Sequence, residues 1–266
     1  MAASYAPVEI GRVTLAVKDL AAMSDFYRSS MGLEEISRDG TSVLLGVGDK
    51  VLMDLHGDKA ARIGNPRAAG LFHTAFLLPR RGDLGAFLRH VADLGLALDG
   101  AADHGVSEAL YMRDPEGNGI EIYFDRPRSE WPRKGQRVAM VTERLDLNDL
   151  ARSAPRPWAG APAGSVVGHV HLQVGDLASA ETFVTGPIGM DVTQQMPGAT
   201  FYSSGGYHHH LASNIWNSNG MAGRAEGTTG LEAVELLLDR ELFDAAGAHE
   251  LQSPWGTRFN LTAKTA

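Results

Sequence analysis

The sequence predicts an α+β fold built from four βαβββ units, the last of them shortened. Three observations carry that prediction. The chain repeats itself: GRVTLAVKDLAAMSDFYRSSMG (11–32) lies over GHVHLQVGDLASAETFVTGPIG (168–189) at an offset of 157, with nine of the 22 positions identical. Each repeat then divides in two, because GRVTLAV and LFHTAFLLP both read as strands that open a unit of strand, helix and several short strands. A weaker echo sets LFHTAFLLP (71–79) over LEAVELLLD (231–239), and DPEGNGIEIYF (114–124) over SPWGTRFNLTA (253–263).

The elements follow in order. In the first unit a period-2 strand carries Val13, Leu15 and Val17, and Asp19 stands where an aspartate caps the first turn of a helix. The second unit opens at LFHTAFLLP; its helix, GDLGAFLRHVADLG (82–95), places Leu84, Phe87, Leu88, Val91 and Leu94 on one face. Between the repeats, RPRSEWPRKGQ and RSAPRPWAGAPAG are rich in Pro, Arg and Gly and read as linkers. The intervening VAMVTERLDLNDLA (138–151) reads as a strand followed by a short helix. The third unit repeats the first, with Val170, Leu172 and Val174 on the strand and Asp176 at the cap. The expected modules are residues 1–128 and 165–266, joined by a linker over 129–164.

Composition narrows the function. With 266 residues and 44% hydrophobic content the chain can pack sizeable cores. A net charge of −8 and a pI near 5.7 argue against nucleic acid or an anionic membrane surface as partner. The absence of cysteine removes disulfides and thiolate metal ligands and fits a reducing compartment. MAASYAPVEIGRVTL lacks the basic and apolar regions of a signal peptide, and no apolar run approaches the roughly 20 residues that span a bilayer. The expectation is a cytoplasmic protein with neither a nucleic-acid nor a membrane partner.

Ten histidines include the run His208, His209 and His210 in GGYHHHLASN. On a strand, His208 and His210 share a face and His209 takes the other, so the run offers two convergent imidazoles at most. His73 stands in an apolar strand, where a histidine is commonly a hydrogen-bonded core residue. Glu121, between isoleucines in GIEIYF, needs a cation or a hydrogen-bonding partner if it faces inward. In GHVHLQV, His169 and His171 share a face. His56, His90 and His249 read as surface histidines.

HGVSEALYMRDPEGNGIEIYF (104–124) sets His104, Tyr111, Asp-Pro-x-Gly-Asn and Glu121 in one ordered pattern. Together with the repeats, it resembles the vicinal-oxygen-chelate superfamily of glyoxalases, bleomycin-resistance proteins and extradiol dioxygenases, most closely the two-domain catechol 2,3-dioxygenases. The resemblance implies two glyoxalase-like modules forming open β-barrel cups, with metal ligands on the first and last strand of each unit. Read into those slots, unit one offers Arg12 and Met53, unit two His73 and Glu121, unit three His169 and His210, and unit four Ala233 and Asn260. Sequential pairing of units leaves two metal-capable side chains in each cup. Pairing unit two with unit three gathers His73, Glu121, His169 and His210 in one cup, and that arrangement is expected.

The resemblance further implies Fe(II), with Mn(II) as the alternative, held by His73, Glu121 and His169. Two histidines and a carboxylate leave coordination positions open. His210, with His208 beside it, takes the place of an acid–base histidine, and His104 and Tyr111 hydrogen-bond the bound diol. His171, Tyr123 and Trp216 line the ring pocket. The implied partners are a small aromatic diol and O2, the implied reaction is ring opening beside the diol, and the relatives are commonly homo-oligomers. Two rivals remain: a glyoxalase-type lyase or isomerase using Ni, Zn or Mn, and a non-catalytic binder of aromatic or antibiotic ligands. Oxygen consumption separates the first rival, and tight aromatic binding without metal the second.

Overall fold

The computed structural model describes residues 6–135 and 137–265. Its strands form two large sheets. One has seven strands in the order Glu250–Gln252, Arg258–Ala263, Gly230–Leu238, Val8–Val17, Lys50–Gly57, Ser42–Val47 and Glu34–Arg38. The other has eight, in the order Asp191–Met196, Ala199–Ser203, Leu211–Asn214, Val166–Gln173, Gly70–Leu78, Gly119–Asp125, Ser107–Arg113 and Gly100–Asp103. Unit one therefore shares a sheet with unit four, and unit two with unit three. This is the pairing the ligand slots required.

One rule builds both sheets. The first strand of every unit pairs parallel with that unit's last strand: Val8–Val17 with Lys50–Gly57, Gly70–Leu78 with Gly119–Asp125, Val166–Gln173 with Leu211–Asn214, and Gly230–Leu238 with Arg258–Ala263. Two units then join through an antiparallel seam between their first strands, Val8–Val17 against Gly230–Leu238 and Gly70–Leu78 against Val166–Gln173. A parallel return needs a crossover, and the helix after each first strand supplies it. The fourth unit is short by one strand, as expected from the sequence.

The expected caps form. The Asp19 carboxylate accepts the Ala22 amide at the start of Leu20–Ser29, and Asp176 does the same for Ser179 at Leu177–Thr185. Each such cap is worth about 1 kcal/mol. In Arg81–Asp93 the expected apolar face is shorter than its pattern, because Leu84, Phe87 and Val91 are buried while Leu94 lies beyond the helix and is 49% exposed. In the connecting stretch, the strand at 137–138 is two residues long, and Asp146 caps the helix Leu147–Arg152.

Strand alternation separates core from site. Along Gly70–Leu78, Phe76 and Leu78 join the main hydrophobic core, which also takes Val13, Leu15, Val170 and Val234 from neighbouring strands of both sheets. Ala75 and Leu77 belong to a separate buried cluster with Tyr123 and Ala109. The same alternation puts Ile120 and Ile122 in the core and Glu121 and Tyr123 on the opposite face. That opposite face of the eight-stranded sheet carries the site.

Candidate metal centre and its pocket

The seam register brings three distant residues together. Ala75 stands opposite His169 on one side and Glu121 on the other, and His73 follows two positions along the same face. A register shift between Val167 and His169 turns the histidine onto this face. Gly168 occupies the shift, where a Cβ would lie 1.9 Å from the Tyr123 hydroxyl. His73 Nε2 lies 3.0 Å and His169 Nε2 3.2 Å from the same oxygen, Glu121 Oε2. All three side chains are buried, and one donor atom from each falls within 4.8 Å of the other two.

The residues fit a divalent cation. His73 Nε2 is buried and, despite its 3.0 Å approach to the carboxylate, forms no hydrogen bond among the described residues. A buried polar atom without a partner costs roughly 1–3 kcal/mol, and a cation between these three atoms removes that cost. Burial pushes the Glu121 carboxyl up, but the imidazoles of His169 and His73 outweigh it and hold the group well below the usual carboxylate range. Burial lowers His169 to about 4 against the pull of Glu121, so the ring presents a neutral ligand nitrogen. Two imidazoles and a carboxylate, with no thiolate, match hard or borderline divalent metals and leave positions open for other ligands.

Beside the triad opens a cavity of about 380 Å³. Tyr111 stands opposite Glu121 in the strand register, and its hydroxyl lies 2.7 Å from His104 Nε2. His104 Nδ1 donates to the Val141 carbonyl, so in the neutral ring Nε2 accepts the tyrosine proton. Burial, then the Glu121 charge, raises the Tyr111 hydroxyl well above its usual value, so it stays a donor. His171 lines the cavity, its Nε2 accepting from the Asn214 amide. Trp216, 48% exposed, forms the rim and meets Phe72 edge-on with 5.4 Å between ring centres. His73, Glu121, His104, Tyr111, His171 and Trp216 thus share one pocket.

Three expected residues lie elsewhere. His208–His210 is not a strand; the strand begins at Leu211, after Gly205 and Gly206 have turned the chain through left-handed backbone (φ 63° and 69°). As a result His209 lines the pocket, its ring centre 4.1 Å from that of His169, while His208 and His210 do not. His208 is wholly buried behind His209, and His210 borders a different cavity. Tyr123 keeps the expected face but lies under His169, fully buried and outside the pocket lining.

A hydrogen-bonded chain runs back from His209. The Asp125 carboxylate accepts from His208 Nε2 at 2.9 Å through one oxygen and from the Tyr207 hydroxyl at 2.7 Å through the other. Neutral His208 is left with Nδ1 as acceptor, 2.8 Å from His209 Nδ1, which donates. His209 therefore keeps Nε2 as a free lone pair. Burial, the largest cause, lowers His209 well below its usual value. The sequence reading also missed Phe72, Phe201 and Met140, which complete the apolar wall. Their only sequence signal was apolar character beside site residues or within a linker.

Comparison with known proteins agrees with this architecture. The Glyoxalase/Bleomycin resistance protein/Dioxygenase superfamily matches residues 9–122. A catechol-2,3-dioxygenase of Bacillus subtilis (strain 168) is 35% identical over 247 residues, covering 91% of this chain and 86% of that protein. A biphenyl-2,3-diol 1,2-dioxygenase of Rhodococcus globerulus is 42% identical over 60 residues, 23% of this chain and 32% of that one. Among solved structures, glyoxalase I from Zea mays superposes with a TM-score of 0.58 at 16% identity, covering 96% of this chain and 92% of that one, a likeness of fold alone. The chain belongs to this superfamily.

Proposed function

We propose that this member of the glyoxalase, bleomycin-resistance and dioxygenase superfamily is an extradiol dioxygenase that opens a catechol beside its diol, using Fe(II) held by His73, Glu121 and His169. The observation that carries the reading is the buried His–Glu–His cluster beside an aromatic-walled pocket whose lining also includes Tyr111, His104, His171 and His209. The long match to a catechol-2,3-dioxygenase supports it. When bound, the metal supplies Lewis-acid positions for the diol oxygens and dioxygen.

The chain's own residues divide the remaining work. His209 Nε2 takes the proton of a diol hydroxyl, the part that the family resemblance implied for His210 and His208. Asp125 and His208 fix the tautomer that leaves that nitrogen unprotonated. Tyr111 and His104 hydrogen-bond the diol edge, and His171 with Trp216 holds the ring plane. Phe72, Phe201 and Met140 exclude water.

The test is oxygen uptake by anaerobically purified protein reconstituted with Fe(II) and offered catechol and substituted catechols. Uptake with growth of ring-opened product absorbance is expected. One retained divalent metal with no uptake from any catechol would instead favour a metal-dependent lyase.

A further inference from the structure

His210 points to a second ligand site. Its side chain is 1% exposed and its Nε2 has no hydrogen-bond partner among the described residues. The other ring nitrogen, Nδ1, accepts from the Ser204 amide at 3.3 Å, with the Ser203 hydroxyl at the same distance. In the neutral ring the proton therefore sits on Nε2, a buried donor with nothing to donate to. His210 forms part of the wall of a cavity of about 640 Å³, separate from the metal pocket and bounded by both sheets.

The rest of that wall sets the ligand's chemistry. Ile10, Leu77, Phe124 and Val167 make an apolar lining. Both acids there are already engaged: Asp125 by His208 and Tyr207, and Glu9 by the Ala6 amide at 3.2 Å with Lys264 at 3.5 Å. Arg126 is committed to Asp103 and Glu108, and Arg128 donates to the Gly205 carbonyl and lies over Trp131. Lys50, on the same wall, feels the charge of Glu9 but makes no hydrogen bond or ion pair with it among the described residues. What remains unmet is one imidazole N–H and one ammonium, so the missing partner is an acceptor with negative charge on an apolar body.

We propose that this cavity binds a small monocarboxylate with a hydrocarbon tail, its carboxylate accepting from His210 Nε2 and facing Lys50, its tail against Ile10, Leu77 and Phe124. The site does not depend on the reaction assigned to the metal pocket.

The experiment is calorimetric titration of the full-length protein with octanoate, set against 1-octanol and octylamine of equal chain length. Octanoate is expected to bind at one per chain and at least about tenfold tighter than either, since a charged hydrogen bond separates them. Lys50→Met, an exposed position that leaves the fold intact, and His210→Phe should each weaken octanoate by about tenfold, while Trp216→Ala at the other cavity leaves it unchanged. A crystal soaked in 8-bromooctanoate then locates the tail, and bromine among Ile10, Leu77 and Phe124 upholds the site whether or not His210→Phe folds. The proposal is overturned by bromine at the metal pocket, by octanol binding as tightly as octanoate, by full affinity in Lys50→Met, or by no binding at millimolar octanoate.

Discussion

The two sheets follow one plan, yet their site faces have opposite fates. In the eight-stranded sheet, His73, His169 and Glu121 converge with a buried nitrogen left unsatisfied. In the seven-stranded sheet most ionisable groups pair with opposite charges, although Asp54 Oδ1 is also a buried oxygen without a hydrogen bond among the described residues. Glu232 meets His56 at 2.9 Å, Arg224 at 3.6 Å and Arg258 at 4.0 Å; Asp54 meets His56 at 3.1 Å; Glu235 meets Arg12 at 3.7 Å. His56 is thus half-exposed but paired, not a bare surface histidine. Met53, expected at the ligand slot, lies in the hydrophobic core, and the strand's other face carries Asp54 and His56. Glu232 and Glu235 have arginines beside them to balance their charge, whereas both ion-pair partners of Glu121 are imidazoles. The scaffold repeats; the counter-charges decide which copy has an unmet need for a cation.

Removing the charge at the centre should give the largest effect. Glu121→Gln is expected to abolish metal retention and oxygen uptake, while Glu232→Gln leaves both intact; elemental analysis of the purified variants checks this, and metal loss in Glu232→Gln would end the contrast. Next in size is the relay. His209→Ala and Asp125→Asn should lower kcat by roughly 10²–10⁴ with metal content unchanged, and metal loss in either would assign these residues to holding the ion.

Acid should have a milder effect. His169 and His210 are lowered to about 4 and about 3, chiefly by burial. The native protein therefore declines protons that the unfolded chain accepts below about 6.5. Stability of the metal-free protein, full above about pH 6.5, should fall as pH drops from there toward 4 and 3. A thermal midpoint flat from pH 7 to 4 would contradict the burial of neutral rings. Smallest is Arg12→Ala, which removes a 3.7 Å, partly exposed pair. It should leave metal content unchanged and cost at most about 1 kcal/mol in chemical denaturation; loss of metal would erase the distinction between the sheets.

Much of this was legible in the sequence wherever period and repeat agree. The Asp19 and Asp176 caps follow from alternation plus an offset of 157, whereas the pairing of unit two with unit three and the gathering of His73, Glu121 and His169 came from the ligand slots that the family resemblance implies. The histidine run failed because alternation holds only on a strand, and Gly205–Gly206 turns the chain before the strand resumes at Leu211. Tyr123 failed differently. Alternation gives a side chain's face but not its depth, and His169 and Tyr207 cover that ring. Met140 came from a connecting segment, whose course over the pocket no periodicity describes.

The antiparallel seam between Gly70–Leu78 and Val166–Gln173 also sets an order of events during synthesis. A ribosome that has released residue 130 has made two of the three proposed ligands and a strand, Gly70–Leu78, with one edge open. Until Val166–Gln173 emerges, that apolar edge can pair with another nascent chain. Closing the seam is a long-range and hence slow step, and only then does the cluster acquire its third member. Metal capture therefore reports closure of this seam, and a metal-retention assay doubles as a measure of that step.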